Sequence, residues 1–258
     1  MLTDVGMALD PTLLARRAGF EPDEWQRDVL RSTGRRMLLN CCRQSGKSTT
    51  VAILALHRAL YEPSSLTLLL SPSERQSKEL FRKVVDVYGA TGRTVASQSE
   101  TTLWLELAGG SRIVALPGKE QTIRGYSGVD LLIIDEAARV DDGLYASVRP
   151  MLAVSGGTLI ALSTPFGKRG WWHTAWEDGG ADWERVRVEA TECPRISASF
   201  LAEERRSLPT LLYRSEYLCA FTDTVDQVFS TDDITAALTA DIAPLFAPLA
   251  ATLPQEAR

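Results

Sequence analysis

The segment that most constrains the fold is Arg43-Gln44-Ser45-Gly46-Lys47-Ser48, which lies between an apolar stretch and a helix-forming one. Residues Met37 to Asn40, before it, are typical of the end of a buried strand. Residues Thr49 to Leu60, after it, predict an amphipathic helix. Strand, glycine-containing turn and helix in this order predict a phosphate-binding loop within an α/β fold.

The chemistry of this loop suits an anionic ligand. Its backbone N–H groups and the positive end of the following helix dipole would face the anion, and Lys47 would add a full charge at the outer phosphates. The hydroxyl of Ser48 is a suitable ligand for Mg²⁺. We therefore expect this loop to bind a nucleoside triphosphate. The remaining residues expected to bind it from the loop are Gln44, Ser45, Gly46 and Thr49.

One position departs from the usual phosphate-loop pattern. That pattern has a glycine five residues before Gly46, and this chain has Cys41 there. Glycine permits a tight backbone, and the small cysteine side chain is a tolerable substitute. The alternative is that Gly-Lys-Ser only begins a helix.

A second motif combines an apolar run with two adjacent carboxylates. The run Leu131 to Ile134 is typical of a strand buried on both faces, and Asp135 and Glu136 follow it. Ligands of open α/β sheets bind at this carboxyl edge, where Asp135 would hold Mg²⁺. Glu136 is suited to orient or deprotonate the water that attacks a γ-phosphate. The alternative is that the two acids only stabilise the beginning of a helix.

Composition limits the class of protein. The chain has 258 residues, of which 45% are hydrophobic and 24% charged, as expected for a soluble globular protein. No apolar run is long enough to cross a bilayer, and the N-terminus does not resemble a secretory signal. The four cysteines lack metal-ligand spacing and favour a reduced cytosolic protein. A net charge of −5 argues against nucleic-acid binding by the whole surface, but not by a local basic patch.

The remaining pattern alternates strands with helices. Strands are predicted at residues 66–70, 158–162 and 186–190, with a hairpin in 94–116, and helices at 74–88, 199–208 and 211–219. This order predicts a doubly wound, mostly parallel α/β sheet flanked by helices, of the RecA-like P-loop NTPase (ASCE) type. We expect one extra strand between the two nucleotide-binding strands. The predicted domains are a core over residues 1–193 and a small helical subdomain with a linker over residues 194–258.

Together these residues resemble the large terminase subunit of tailed bacteriophages, in its N-terminal ATPase half. The family's phosphate loop often lacks the first glycine and carries Arg-Gln before Gly-Lys, as here. Trp25-Gln26 resembles the glutamine motif that contacts adenine. Ile123-Arg124-Gly125 resembles the loop whose arginine reaches a neighbouring subunit's ATP. Ser163-Thr164-Pro165-Phe166-Gly167-Lys168 resembles the coupling motif, and the match runs over roughly residues 20 to 235.

Each assigned role has a simpler alternative. Gln26 is also consistent with an ordinary surface amide, and Arg124 with a local salt bridge. Arg43 is a second catalytic candidate, since it could supply positive charge to the γ-phosphate within one subunit. Ser163 and Thr164, expected to contact the nucleotide, could instead form no more than a turn at the end of a strand.

The resemblance implies an ATPase that uses ATP and Mg²⁺ to move double-stranded viral DNA into the procapsid. It implies the portal protein and the small terminase subunit as partners, a homo-oligomeric ring on the capsid, and the host cytoplasm as location. The isolated chain could be monomeric, and no membrane is involved. We expect no DNA cleavage by this chain, because the aspartates near its end form no strand-borne cluster. The alternatives are a helicase-like or other nucleic-acid-remodelling ATPase, and a non-motor nucleotide-binding module.

Overall fold

The protein was analysed as a computed structural model that describes residues 2–118, 125–223 and 231–238. The contacts between residues divide the chain into two units, Met1–Thr222 and Asp223–Arg258. In the second unit one helix, Thr231–Ala237, is described. The helices and strands of the first unit build the sheet and the site.

One eight-stranded sheet organises the first unit. Its strands, in chain order, are β1 Arg36–Cys41, β2 Leu66–Ser71, β3 Ser97–Glu100, β4 Trp104–Leu107, β5 Arg112–Pro117, β6 Leu131–Asp135, β7 Thr158–Ser163 and β8 Glu184–Val188. Their spatial order is β3-β4-β5-β2-β6-β7-β1-β8. All neighbours from β5 to β8 pair in parallel, whereas β3 and β4 pair antiparallel at one edge. The predicted mostly parallel α/β sheet is therefore confirmed.

Helices flank this sheet. In chain order they are α1 Leu2–Leu9, α2 Pro11–Arg17, α3 Glu24–Arg31, α4 Lys47–Tyr61, α5 Glu74–Ala90, α6 Asp142–Val148, α7 Gly170–Asp178, α8 Ala198–Ser207 and α9 Thr210–Leu218. The helix of the second unit, Thr231–Ala237, is α10. Short 3₁₀ helices cover Ala137–Arg139, Arg149–Leu152 and Ala190–Glu192. Among the described residues, no helix has the length and apolar character needed to cross a membrane.

The central strands are apolar throughout because helices cover both faces of the sheet. Successive residues of a strand point to opposite faces. Leu39 accordingly packs in a cluster with Ile53 of α4, whereas Leu38 packs in a second cluster with Trp172 of α7. Every residue of β2 and β6 is buried. This two-sided burial explains the uninterrupted Leu/Ile runs that predicted parallel strands.

The extra strand predicted between the two nucleotide-binding strands is β7. It pairs with β1 on one side and with β6 on the other. Its last residue, Ser163, lies opposite Asn40 of β1, and the preceding Leu162 lies opposite Asp135 of β6. The segment after β7 therefore leaves the sheet between the phosphate loop and the acidic pair.

The first two helices after Pro194, α8 and α9, belong to the first unit. Leu201 of α8 and Tyr213 and Tyr217 of α9 are buried in the same cluster as Cys193 and the α4 side chains. The compact unit thus extends to Thr222, past the predicted domain boundary at residue 193. The assignment of residues 194–258 to a separate subdomain stays a prediction.

Candidate active site

The phosphate loop has the backbone geometry expected of an anion site. Gly46 has a φ of 90°, and the first turn of α4 begins with Lys47, directly after it. The carbonyl of Gly46 accepts hydrogen bonds from the N–H groups of Thr49 at 3.0 Å and Thr50 at 3.1 Å. A Cβ atom on Gly46 would lie 2.6 Å from Nε2 of Gln26, so both the positive φ and the close packing require glycine here.

The phosphate loop and the acidic strand meet in space. The Oγ atom of Ser48 donates to Oδ2 of Asp135 at 3.4 Å, although the two residues are 87 positions apart in the sequence. Lys47 and Asp135 are both buried, with 7% and 8% of their surface exposed. A cation, a hydroxyl and a carboxylate are therefore gathered at the carboxyl edge of the sheet.

The Asp135 carboxylate lies in an environment that disfavours its charge. Burial, followed by the neighbouring charge of Glu136, raises its pKa to about 6, against the opposing effects of Lys47 and the hydrogen bond from Ser48. A divalent cation would compensate this buried charge. The Ser48 hydroxyl and the Asp135 carboxylate are hard oxygen donors, as Mg²⁺ requires, so the donor set fits that metal.

Glu136 is the first residue after β6 and has a left-handed backbone, with a φ of 51°. Its N–H donates to Oδ1 of Asp135 at 3.0 Å. Its Oε2 atom accepts from Nη1 of Arg139, at the end of the following 3₁₀ helix, at 2.8 Å. The turn thus directs the Glu136 carboxylate toward the phosphate loop while Arg139 holds one of its oxygens.

A cavity of about 390 Å³ joins these groups. It is lined by Arg43, Gln44, Gly46, Lys47, Ser48, Thr49, Lys83 and Glu136. Positive side chains on one side and a carboxylate on the other are the arrangement expected for a bound phosphate chain and an attacking water.

Gln26 lies beneath the phosphate loop and is fully buried. Its Oε1 accepts from the N–H of Asp23 at 2.8 Å, and its Nε2 donates to the carbonyl of Ser45 at 3.2 Å. Arg195 donates to the same Ser45 carbonyl at 2.8 Å and to both carboxylate oxygens of Asp23 at 2.9 and 2.7 Å. The Nε2 end of the Gln26 amide thus braces the loop and its Oε1 end caps α3, and the adenine contact of Gln26, like that of Trp25, stays a prediction.

A second cavity, of about 660 Å³, shares Arg43 and Gln44 with the first. Its other lining residues are Arg195, Ile196, Ser197, Phe200 and Tyr217. Aromatic and guanidinium surfaces next to a phosphate site suit a nucleoside. The sequence provides no local signal for this wall, because the segment that forms it lies about 150 residues from the phosphate loop.

Two further contacts join the sheet edge to α9. Arg43 donates through Nε to Oε2 of Glu216 at 2.6 Å. The carbonyl of Pro165, after β7, accepts from Oγ of Ser215 at 2.8 Å. Ser163 and Thr164 are buried at the end of β7, and the Ser163 hydroxyl donates to the carbonyl of Thr164 at 2.7 Å.

The structure brings together most of the predicted site residues and adds others. Arg124 lies outside the described residues, so its predicted role is untested. Three basic residues at the site were not predicted: Lys83 on α5, Arg139 and Arg195. Arg139 could have been found from its spacing, three residues after Glu136 on a helical turn. Lys83 and Arg195 carry no sequence signal because only tertiary packing places them here.

The strand order, the phosphate loop and the acidic strand separated from it by one strand define a P-loop NTPase fold. Residues 38–236 match the family model described as "Terminase large subunit, T4likevirus-type, N-terminal". The chain belongs to this terminase family, which confirms the resemblance seen in its motifs.

Known proteins agree with this assignment. The chain is 25% identical over 252 residues to the large terminase subunit of Thermus phage G20c, a match covering 84% of this chain and 52% of that protein. It therefore spans about half the length of this curated relative. The ATPase domain of the Thermus phage P74-26 large terminase has the same fold, with a TM-score of 0.72, 21% identity and coverage of 81% and 97% of the two chains. The large terminase of another thermophilic bacteriophage, solved in complex with ADP, gives a TM-score of 0.62 at 10% identity, covering 81% of this chain and 52% of that one.

Proposed function

We propose that this chain is an ATP-hydrolysing motor domain of a large terminase subunit, which moves double-stranded viral DNA into the procapsid. The observation that carries this proposal is the 3.4 Å contact between Ser48 and Asp135, beside the buried Lys47. It places a phosphate-binding loop and a candidate metal-binding carboxylate at one site. The ADP complex of the large terminase from a thermophilic bacteriophage supports nucleotide binding at this fold.

The phosphate chain of ATP would bind in the cavity over the phosphate loop. The N–H groups at the beginning of α4 and the Lys47 ammonium would contact its oxygens. Ser48 and Asp135 would hold Mg²⁺, which when bound neutralises part of the phosphate charge. The hydrogen bonds from Gln26 and Arg195 to the Ser45 carbonyl would help to keep the loop in position.

Glu136 would act as the general base. Its carboxylate lines the phosphate cavity, and only Oε2 is engaged by Arg139, so Oε1 is able to accept a hydrogen bond from water. Orienting and deprotonating that water contributes about 10²–10⁴-fold to the rate.

Two arginines would stabilise the transition state. Arg43 lines the phosphate cavity within the same chain, and a guanidinium binds phosphate oxygens in a bidentate manner. Arg124 would enter from the neighbouring subunit of a homo-oligomeric ring, where such a residue contributes about 10³–10⁵-fold. Hydrolysis would then depend on assembly of the ring at the portal.

Ser163 and Thr164 would report the state of the γ-phosphate. They lie at the end of β7, between the strand that leads to the phosphate loop and the strand that ends at Asp135. Movement of this segment would reach α9 through the hydrogen bond between Pro165 and Ser215. The proposed partners are double-stranded DNA, the portal protein and the small terminase subunit, met in the cytoplasm of the host.

The substitution Glu136→Gln tests this proposal. It keeps the size of the side chain and removes the basic oxygen, so ATP turnover should fall by about 10²–10⁴-fold while nucleotide binding persists. Glu203→Gln, on the exposed face of α8, is the matched control and should turn over ATP at the wild-type rate. If Glu136→Gln hydrolysed ATP at the wild-type rate, the role of Glu136 as general base would be refuted. Consumption of ATP by the full chain should also rise when portal-containing procapsids and double-stranded DNA are added.

A further inference from the structure

Arg139 contacts two parts of the site at once. Its Nη1 atom donates to Oε2 of Glu136 at 2.8 Å, and its guanidinium carbon lies 4.7 Å from the centroid of the Phe166 ring. Arg169 lies over the same ring at 4.8 Å. One guanidinium therefore touches both the proposed general base and an aromatic residue in the segment after β7.

The contact with Glu136 limits where the carboxylate can go. Glu136 leaves β6 with a left-handed backbone, and about a quarter of its side chain is exposed, on the side that faces the phosphate cavity. Arg139 holds one carboxylate oxygen from three residues along the same turn. No hydrogen bond joins Oε1 to a described residue, so this oxygen would be able to accept one from a water. Losing this hold would broaden the positions of the base, and a 1 Å displacement in such a group can cost on the order of 10²-fold in rate.

The contact with Phe166 links the same guanidinium to the segment after β7. Phe166 directly follows Pro165, whose carbonyl is fixed by Ser215 of α9. The ring is 43% exposed, and cation–π contacts at such sites are worth about 0.5–1 kcal/mol. A displacement of the segment would carry the ring away from Arg139 and free the guanidinium.

We infer that Arg139 is a positioning residue for hydrolysis, which holds the Glu136 carboxylate and makes its position depend on the position of Phe166. This inference rests on the proposed function. Because coupling is reciprocal, a nucleotide that fixes Glu136 and its water would also favour one position of the segment after β7. Glu136, Arg139, Phe166 and Ser215 would then form one continuous contact path from the base to α9.

The first experiment compares Arg139→Ala with Arg139→Lys and with Arg169→Ala. Steady-state ATP turnover gives kcat and KM, and fluorescent ADP gives the dissociation constant. Arg139→Ala should lower kcat by about 10- to 100-fold with KM and nucleotide affinity within about twofold of wild type. Arg139→Lys should recover part of kcat, since it restores the charge without the planar fork. Arg169→Ala removes the other contact with the Phe166 ring but keeps the hydrogen bond between Arg139 and Glu136. Its kcat should therefore stay within about twofold of wild type.

The second experiment tests the link to Phe166. Phe166→Ala should also lower kcat, and the double variant with Arg139→Ala should be no slower than Arg139→Ala alone, since both break the same path. If the two substitutions lowered kcat independently, so that their factors multiplied in the double variant, the proposed link between Arg139 and Phe166 would be overturned. Thermal unfolding of each variant shows whether it is folded. If Arg139→Ala does not fold, Arg139→Gln, which keeps most of the side-chain bulk, takes its place.

The outcomes separate this inference from the proposed function. If the wild-type chain hydrolyses ATP and Arg139→Ala does so with the same kcat, the inference alone is overturned. The same conclusion follows if Arg139→Lys is no faster than Arg139→Ala. Absence of magnesium-dependent turnover in the wild-type chain, with and without DNA and procapsids, would overturn the proposed function and this inference with it.

Discussion

Arg43 of the phosphate loop is bound to Glu216 of α9, with Nε of Arg43 2.6 Å from Oε2 of Glu216. The backbone N–H of Arg43 also donates to the carbonyl of Glu216 at 3.3 Å. The Glu216 side chain is largely buried, whereas that of Arg43 is 62% exposed. The arginine proposed to meet the γ-phosphate is therefore paired with a carboxylate on a neighbouring helix.

This pair predicts that Glu216 competes with the phosphates of ATP for Arg43. Glu216→Ala should tighten ATP binding by about two- to fivefold, the range expected for releasing a partly exposed ion pair. Glu79→Ala, which breaks an exposed glutamate–arginine pair on α5, is the control. Competition against a fluorescent nucleotide measures both affinities, and unchanged or weaker binding by the Glu216 variant would contradict the prediction.

The buried amide of Gln26 predicts a loss of affinity that does not depend on the base. Gln26→Ala removes one of the two donors to the Ser45 carbonyl and the acceptor of the part-buried Asp23 N–H, which should cost about 1–3 kcal/mol of folding stability. If Gln26 braces the loop, affinities for ATP and GTP should fall by the same factor. A loss confined to ATP would instead support the adenine contact. Titrations with both nucleotides decide between the two, with Gln98→Ala on the exposed strand β3 as control.

Gly46 provides a test of the loop geometry. Gly46→Ala would combine a positive φ with a Cβ placed 2.6 Å from Nε2 of Gln26, so we expect a loss of about 1–3 kcal/mol in stability and loss of nucleotide binding. Gly92 has a similar φ of 84° but no atom within 4 Å of the added Cβ. Gly92→Ala should therefore show backbone strain alone and retain nucleotide binding. Urea unfolding and nucleotide titration of the two variants separate strain from steric conflict.

His57 predicts a pH dependence of stability. Burial in α4 lowers the pKa of His57. The hydrogen bond from its Nε2 to the carbonyl of Met7 and the charge of the nearby Glu62 act in the opposite direction. As the pH falls through the ordinary value of about 6.5, the unfolded chain gains a proton that the folded chain resists, so the free energy of unfolding decreases. Its stabilising contribution is complete above that pH and is lost on acidification.

The measurement is urea unfolding of wild type and His57→Gln between about pH 7.5 and 5.5, the range that spans the imidazole titration. The difference between the two curves isolates His57 from other groups that titrate in this range, including Asp135. We expect the glutamine variant to lose less stability on acidification. Parallel curves for wild type and His57→Gln would exclude the predicted contribution.

The sheet and the meeting of the two motifs could be predicted because local pattern and general topology determine them. The buried strands β2, β6 and β7 are continuous apolar runs, and parallel strands bring their carboxyl ends to one edge. Asp135 ends β6, and Ser48 lies at the beginning of the helix that follows β1 and the phosphate loop. Their proximity therefore follows from those rules. The hairpin of β4 and β5 was also evident from its alternating leucines and its glycine turn.

The contacts that tune the site could not be predicted in the same way. Strand β3, Ser97–Glu100, is polar and exposed at every position, so it lacks the alternation that marks a half-buried strand. The packing of α3 under the loop buries Gln26, and its hydrogen bond to the Ser45 carbonyl has no local sequence signal. Lys83 and Arg195 reach the site from elements whose placement depends on the whole core. Sequence periodicity identifies which face of a helix is buried, but not which distant loop that face meets.

The four cysteines have a practical consequence. Cys41, Cys42, Cys193 and Cys219 are all free thiols and all buried, and burial raises the pKa of Cys219 to about 12. Buried thiols are poorly accessible to maleimides and similar reagents and react slowly with them. A single cysteine introduced on an exposed helix would therefore be the preferred attachment point for a dye, and distances within a working assembly could be followed without first removing the native residues.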